Sequence, residues 1–248
     1  MTVRFDKLGV VIAAIVAYAA FAAPFATFRA NRIVPGEARS ILDSLPAAVG
    51  PLLLAILFIA AIIALLKTPL VLRLAASVIA LAALAILIGV AGSFLMPEGN
   101  TFARISPASG FWLLIFAFTL LLADVLTRLN LSPWARLGGL VIAALAIGLL
   151  LASGSWNSLS ILKEYANRAD SFWAEGSKHV TLALGSLAAA VVVGLPLGIL
   201  CHRVDKIRAG VLNVLNIIQT VPSIALFGLL IAPLGWVATH VPGAARSA

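Results

Sequence analysis

Residues 213–233 read NVLNIIQTVPSIALFGLLIAP, a stretch that is long and apolar enough to cross a lipid bilayer. Four polar residues recur within it at spacings of three or four: Asn213, Asn216, Thr220 and Ser223. This spacing places their side chains on one face of a helix. Pro222 removes one backbone donor from the middle of that helix. Because unpaired polar groups are costly in lipid, we expect this face to meet protein or a water-lined path.

The composition extends this conclusion to the whole chain. Of its 248 residues, 62% are hydrophobic and only 10% are charged, whereas a soluble domain carries about 25% charged residues. No polar segment is long enough to form a separate water-facing domain. The sequence therefore predicts an all-α, polytopic helical membrane protein.

The charge pattern and the motifs exclude several classes of function. The net charge is +8, but the Lys and Arg residues are scattered at the ends of apolar runs, as in proteins that meet anionic lipid. This pattern does not indicate nucleic-acid binding. The sequence has no H-E-x-x-H, G-x-S-x-G or P-loop motif. We therefore expect no catalytic residues, no metal site and no enzyme activity.

Seven apolar segments have about the length of a membrane span, the fifth being slightly short. They are Leu8–Phe28, Ala47–Leu66, Leu74–Leu95, Gly110–Leu126, Leu137–Ala152, His179–Leu200 and Val211–Val237. The segments 1–7, 67–73, 127–136 and 201–209 are short and dense in Lys and Arg. By the positive-inside rule we expect these segments, and the N-terminus, to lie in the cytoplasm.

The composition along the chain predicts three parts. Residues 1–153 hold five Ala- and Leu-rich spans and are interpreted as a scaffold. Residues 154–178 contain a weak apolar face and an i,i+4 pair of Glu164 with Arg168, which predicts an interfacial helix on the outer surface. Residues 179–248 hold the two spans with glycine and polar features.

The sixth span contains Gly194 and Gly198 with Pro196 between them. Glycines four residues apart let two membrane helices approach closely. The pair serves either ordinary helix packing, which we favour because the motif is common, or a pivot in a moving helix.

The polar residues of the last two spans each allow two interpretations. The seventh-span stripe, together with Gln219, either forms interhelical hydrogen bonds worth about 0.6 kcal/mol each or lines a pathway. Pro222 favours a pathway, since a kinked helix suits a gate. Asp124 lies four residues before Arg128, and a local ion pair is a better interpretation of it than a proton relay.

Two stretches, KHVTLALGSLAAAVVVGLPLGILCHR at 178–203 and LNVLNIIQTVPSIALFGLLIAPLG at 212–235, resemble the start of the membrane core of binding-protein-dependent ABC importers. The resemblance is closest to permeases for osmoprotectants. The pieces NRIVPGEAR at 31–39, SGFWL at 109–113 and LSILKEYANRADSF at 159–172 resemble a YehY-type subgroup with extra N-terminal spans.

The resemblance implies a permease subunit that imports compatible solutes, such as glycine betaine or choline, across the inner membrane under osmotic stress. It implies cytoplasmic ATP-binding subunits, a periplasmic substrate-binding protein and a second permease subunit as partners, and no cofactor. The residues we expect at the path and gate are Asn213, Asn216, Gln219, Thr220, Pro222 and Ser223. Helix packing is expected at Gly194, Pro196 and Gly198.

One feature departs from the family pattern. The family core continues with further spans and a cytoplasmic E-A-A…G loop, neither of which follows residue 248 here. We therefore expect a C-terminally truncated permease. The missing loop leaves open a non-transporting or regulatory membrane protein. An ion-coupled carrier would need a deep charged residue, and only Asp124 comes near. The sequence does not determine which osmoprotectant is carried.

Overall fold

Apolar runs separated by Pro, Gly and charged residues form most of the secondary structure. The computed structural model describes residues 5–100 and 102–240, and the following bounds refer to them. The helices are α1 Lys7–Phe21, α2 Ile41–Ser44, α3 Val49–Leu65, α4 Leu70–Phe94, α5 Ser109–Leu129, α6 Pro133–Ala152, α7 Ser160–Arg203, α8 Asp205–Thr220 and α9 Ser223–His240. The strands are β1 Ala26–Arg29, β2 Glu37–Arg39 and β3 Arg104–Pro107. The all-α class predicted from composition is confirmed, with one small sheet added.

The chain divides into two compact units, Met1–Asp170 and Ser171–Ala248. In the first unit, α1, α3, α4 and α5 form a four-helix bundle in which each helix packs against two neighbours. Each helix turns a stripe with helical spacing inward; in α1 the stripe is Gly9, Ile12, Val16 and Ala19. The core contains these fully buried side chains: Ile12, Leu53, Leu57, Leu84, Leu114, Phe118 and Leu121.

The outward faces of the bundle are also apolar. Each helix exposes large apolar residues. One example from each helix, about half exposed, is Val10, Ile59, Ile79 and Phe116. Further large apolar side chains are exposed along the same helices, among them Val11, Ile62, Val78 and Trp112, and so many are unusual for a protein in water. Such faces suit lipid, since the bilayer core is as apolar as the side chains that meet it.

Close packing of α1 against α3 depends on one glycine. A Cβ atom at Gly9 would overlap the carbonyl oxygen of Ala64. Gly9 therefore lets the two backbones meet, as small residues do between membrane helices.

The small sheet caps the end of the bundle where α1 finishes. Its strand order is β2-β1-β3, and both pairs are antiparallel, with Thr27 opposite Ala38 on one side and Ser106 on the other. The sequence did not predict this sheet. The first apolar segment was expected to run to Phe28, but α1 ends at Phe21, because Pro24 cannot continue a helix. Phe25 and Ala26 after it are buried in the core. The first apolar segment therefore contains the helix α1 and also the start of the strand β1.

The count of seven spans is not confirmed. Among the described residues, four helices are long and apolar enough to cross a membrane: α4, α5, α6 and α7. The bent pair α8 and α9 makes a fifth if it is counted as one span. The helices α1 and α3 are apolar but have only 15 and 17 residues. The fifth predicted segment, expected to be short, is a 20-residue helix.

The second unit is helical and exposed. The unit boundary falls within α7, near Arg168, whose backbone leaves the helical region at φ −134° and ψ 19°. Residues 160–173, expected to form an interfacial helix, are the first turns of α7. Neither α7 nor α8 contains a buried residue. Their apolar side chains meet no core of their own, as expected for helices that face lipid or another subunit.

Candidate functional site

The predicted path residues lie on two helices rather than one. Helix α8 ends at Thr220, and Val221 adopts an extended conformation with φ −74° and ψ 121°. The residue before a proline is disfavoured in the helical region, so Pro222 ends α8 at the preceding residue. The helices on either side are bent by 103°. The expectation that Pro222 lies in the middle of one helix is therefore wrong, since the helix is broken there.

This break divides the polar stripe. Asn213, Asn216 and Thr220 remain on one face of α8, and Gln219 lies beside them on the same helix. Ser223 begins α9, on a different axis, and its side chain lies outside the described residues.

The described stripe residues of α8 differ in what they can offer a ligand. The Thr220 hydroxyl donates to the Ile217 carbonyl at 2.7 Å, so its proton is used within the helix. Asn213, Asn216 and Gln219 are exposed. These three amides are thus available to a partner helix or to solvent.

The glycine motif of α7 meets no other element among the residues that the structure describes. A Cβ atom added at Gly194 or Gly198 would have no atom of another element within 4 Å. The helix continues through Pro196. The predicted packing role stays a prediction, since a packing partner would have to be another chain.

The predicted pair of Asp124 and Arg128 is confirmed, with Nε of Arg128 2.9 Å from Oδ1 of Asp124. It belongs to a larger group that the sequence did not reveal, which we name the charge cluster: Asp6, Arg73, Asp124 and Arg128. Its two carboxylates and two guanidinium groups balance in charge. It lies where α1 begins and α5 ends.

Arg73 is the centre of the charge cluster. Only 3% of its side chain is exposed. Its Nη2 donates to the Ala64 carbonyl at 2.9 Å, and its Nη1 donates to Oδ2 of Asp6 at 3.3 Å. The same Nη1 lies 4.0 Å from Oδ2 of Asp124. One side chain of α4 thus holds the ends of α1, α3 and α5.

Asp6 both caps a helix and joins the charge cluster. Its Oδ1 accepts the Gly9 amide at 3.1 Å, and its own amide donates to the Leu65 carbonyl at 2.9 Å. Burial of Asp6 acts to raise its pKa, but the hydrogen bonds from Arg73 and Gly9 outweigh burial, so the pKa lies below its ordinary value. The carboxylate is therefore held ionised in place.

The other end of the bundle carries an open polar cleft, which we name the sheet-end cleft. It consists of two adjoining depressions of about 550 and 590 Å³ that share Asn100, Arg104 and Asn167. The first is also lined by Ala30, Asn31, Arg32, Ile33 and Phe102. The second is also lined by Asn157, Leu162, Lys163, Tyr165 and Ala166. Volumes of this size suit a small molecule.

Glu164 organises the cationic side of this cleft. Its Oε1 accepts from Nε of Arg32 and from Nε of Arg104, both at 3.0 Å, and its Oε2 accepts from Nη2 of Arg32 at 2.5 Å. The expected pair with Arg168 is wrong, because Glu164 turns to these two arginines instead. Hydrogen bonds from Arg104 and then Arg32 lower the pKa of Glu164. Charged residues occur along α7 as far as Lys178. Glu164 therefore lies in the polar first part of α7, before the apolar part of this helix.

Other contacts hold this part of the chain on the bundle. The Trp156 indole donates to the Ala85 carbonyl at 2.8 Å, and the Ser160 hydroxyl donates to the Ile105 carbonyl at 2.8 Å. Leu159 is buried in the core. The cleft wall formed by the start of α7 is therefore fixed to α4 and β3.

The apolar outward faces and the helices of spanning length define a polytopic α-helical membrane protein. Residues 6–162, well over half of the chain, match the family described as ABC transporter permease YehY, N-terminal domain. The chain therefore belongs to this family of transport permeases, which is not a family of enzymes. The resemblance inferred from the sequence is confirmed.

Curated relatives match over shorter stretches. The choline transport system permease protein OpuBB of Bacillus subtilis is 36% identical over 58 residues, 23% of this chain and 27% of the relative. The glycine betaine/carnitine/choline transport system permease protein OpuCD of the same organism is 34% identical over 58 residues, 23% of this chain and 25% of the relative. The osmoprotectant import permease protein OsmW of Salmonella typhimurium is 39% identical over 54 residues, 22% of this chain and 25% of the relative.

These matches span about a quarter of the length of the relatives. No solved structure matches the chain at a significant level.

Proposed function

We propose that this chain acts in a permease subunit of an ATP-driven importer of compatible solutes such as glycine betaine or choline. The observation that carries the proposal is the match of residues 6–162 to an ABC permease family. The names of the relatives add the substrate class, since they are permeases for choline, glycine betaine and other osmoprotectants.

The proposed partners follow from what the chain lacks and from the family. The sequence contains no P-loop, so ATP hydrolysis falls to separate cytoplasmic ATP-binding subunits. A periplasmic substrate-binding protein delivers the solute, and a second permease subunit completes the path. The exposed apolar faces of α7 and α9 are available for that second subunit and for lipid.

The translocation path is proposed to follow α8 and the break at Pro222. Exposed amides of Asn213, Asn216 and Gln219 on an otherwise apolar helix favour contact with a hydrated route. A helix broken at membrane depth is tolerated where it lies against protein or a water-filled cavity. Such breaks mark the substrate sites of many transporters. The break and the amides are adjacent, so we place the gate there.

The orientation proposed is the one that the sequence favours, with the N-terminus in the cytoplasm and the chain in the inner membrane. Lys67 lies in the connection between α3 and α4, Arg128 in the last turn of α5 and Arg136 in the first turn of α6, at or near the end of the bundle that holds the charge cluster. Under the positive-inside rule this end faces the cytoplasm, and the sheet-end cleft faces outward.

The three-part organisation also stays a proposal: a scaffold at 1–153, an interfacial segment at 154–178 and a partial permease core at 179–248. In this division α8 and α9 serve transport, and the bundle of α1, α3, α4 and α5 supports them. A path role for the stripe requires that substitutions in α8 alter uptake more than conservative changes on the bundle surface do.

Uptake of labelled glycine betaine and choline under osmotic stress tests the proposal. We expect uptake to require the chain together with an ATP-binding subunit able to hydrolyse ATP. The Asn216→Leu variant should lower uptake at unchanged membrane abundance, whereas Ile217→Leu, a conservative change on the same helix, should not. Uptake that persists without ATP and collapses with the proton gradient would replace this proposal with an ion-coupled carrier. Equal uptake with and without the chain would indicate a non-transporting protein.

A further inference from the structure

We propose that the sheet-end cleft is a binding site for the carboxylate group of a small organic solute. Nothing in the family or in the names of the relatives assigns a site to this end of the bundle. The inference rests on three features of the cleft, namely its excess of positive charge, the donors that its asparagines present, and an ammonium group without an acidic partner. It does not depend on the proposed transport path.

The first feature is the charge balance. Three cations line the cleft, Arg32, Arg104 and Lys163, and among the described residues no acidic side chain lines it. Glu164 beside it is shared between the two arginines. One negative charge thus faces three positive charges, and the side-chain surroundings favour a second anion.

The second feature is the state of the asparagines. Oδ1 of Asn31 accepts the amides of Ile33 and Val34 at 2.8 and 3.0 Å. Oδ1 of Asn100 accepts the amides of Phe102 and Ala103 at 2.9 and 3.0 Å. Each side-chain carbonyl is therefore used by the local backbone, which leaves the NH₂ group as the part that the side chain can offer. The cleft consequently presents donors beside cations, which is the combination that binds a carboxylate.

The third feature is Lys163. Its Nζ lies 3.4 Å from the Ala103 carbonyl, a long contact for an ammonium group, and 3.5 Å from the Met96 sulfur, a weak acceptor. No acidic residue pairs with Lys163 among the described residues. Burial, and then the nearby charge of Arg104, lower the pKa of Lys163. A carboxylate in the cleft would supply the partner that this cation lacks.

The shape of the cleft favours a small solute. Its two depressions, of about 550 and 590 Å³, are of the size that encloses small molecules. The ring of Phe102 at its edge is 74% exposed and can face an apolar or cationic part of the same ligand. A zwitterion with a carboxylate at one end and a quaternary amine at the other therefore belongs to the class that fits, and choline does not.

Titration calorimetry on the full purified chain, in detergent at low ionic strength, tests the proposal. The probes are acetate, glycine betaine, choline and inorganic phosphate. We expect heat of binding for acetate and glycine betaine and none for choline. Choline that binds as tightly as glycine betaine would overturn the proposal, as would the absence of binding by either carboxylate. Phosphate that binds more tightly than acetate would overturn the carboxylate assignment.

Two variants with opposite expected effects separate a binding role from a structural one. Arg32→Gln removes a donor and a charge, so acetate should bind about tenfold more weakly. Glu164→Gln removes the negative charge that competes for Arg32 and Arg104, so acetate should bind about tenfold more tightly. A residue with a purely structural role would not raise the affinity when it is replaced.

Arg39→Gln is the matched control for these variants. Arg39 lies in β2, the strand that follows the loop of Arg32, and also pairs with a glutamate, Glu37, at 2.5 Å, but it does not line the cleft. Acetate affinity should be unchanged in this variant. An equal loss of acetate affinity in the Arg32 and Arg39 variants would mean that both changes act through the stability of the sheet. That result would overturn the site. Because the readout is binding, failure here would leave the transport proposal standing, and the reverse also holds.

Discussion

The four-helix bundle carries arginines and carboxylates at both of its ends, but the two ends treat them differently. In the charge cluster, Arg73 is 3% exposed on its side chain, and its charge is balanced by carboxylates that are themselves mostly buried. In the sheet-end cleft, Arg32 is 53% exposed, and cations outnumber carboxylates. The same residue types thus serve helix association at one end and leave a polar surface available at the other.

Burial explains what this difference means. A charge taken out of water must be paired and hydrogen-bonded, or it costs several kcal/mol. The charge cluster answers this demand with one helix cap, one backbone carbonyl and four ion pairs among its two carboxylates and two guanidinium groups. In the cleft, Arg32 is open to water, and the mostly buried Arg104 is paired with Glu164. The balanced charges of the charge cluster therefore indicate a structural role, and the excess of cations in the sheet-end cleft indicates a binding role.

The largest effect should come from Arg73. Replacing Arg73 by Met leaves Asp6 and Asp124 buried near each other with only Arg128 to balance them. We expect the free energy of unfolding to fall by about 3–5 kcal/mol, measured by thermal unfolding in detergent. A loss under 1 kcal/mol would show that the charge cluster is not what holds the helix ends. The variant Arg73→Met/Asp124→Asn, with one charge of each sign removed, should recover part of the loss.

A second test uses the close contact at the same end of the bundle. Gly9→Ala places a methyl group against the Ala64 carbonyl, and α1 must move from α3. We expect a loss of about 1–3 kcal/mol in unfolding free energy, and weaker bonds within the charge cluster. Gly148→Ala in α6 is the matched control, since a Cβ there meets no atom within 4 Å. The control should be neutral or slightly stabilising, because alanine favours a helix. Equal effects of the two changes would contradict the packing argument.

A third test follows the pH dependence of Asp6. Because its pKa in the folded protein lies below 3.8, its ionised form stabilises the fold above that pH, and this contribution is lost as the pH falls through the folded value. Asp6→Asn should therefore cost about 1–2 kcal/mol at neutral pH and progressively less in acid. Unfolding curves of the two proteins that stay equally far apart down to the lowest pH would refute the charge role.

The smallest effect should come from the open end. Arg32→Gln breaks the ion pair with Glu164, in which the two side chains are 53% and 40% exposed, and such surface pairs contribute little to stability. The free energy of unfolding should barely change, and still less at high salt. A cost close to that of Arg73→Met would erase the distinction between the two ends, and with it the reason to assign binding to the cleft.

The helices of the second unit show a different limit. Their hydropathy resembles that of the bundle, yet α7 and α8 contain no buried residue. The sequence predicted the apolar part of α7, and one span where α8 and α9 lie. It did not predict what covers these helices, because lipid and a neighbouring helix are equally apolar partners. The break at Pro222 was visible in the sequence only as a kink. The residue before a proline determines whether a helix bends or ends, and Val221 took the extended conformation.

Several cleft and cluster residues gave weak signals in the sequence. In the sequence, Arg73 belongs to a short segment that is dense in positive charge. It is buried because the ends of three neighbouring helices meet around it. Glu164 lies 60 positions from Arg104 and 132 positions from Arg32 in the sequence, although it pairs with both. The sheet that brings them together has strands of three or four residues, too short for a periodic pattern to reveal.

The sequence by itself determined the class of this protein. Its long apolar runs with charges at their ends leave the backbone no stable choice in lipid but helices, and its motifs carry the family. The tertiary structure alone decided which charges are buried and which are open. That outcome depends on residues far apart in the chain meeting at the ends of helices, and the cost of burying a charge depends on the partners it finds there.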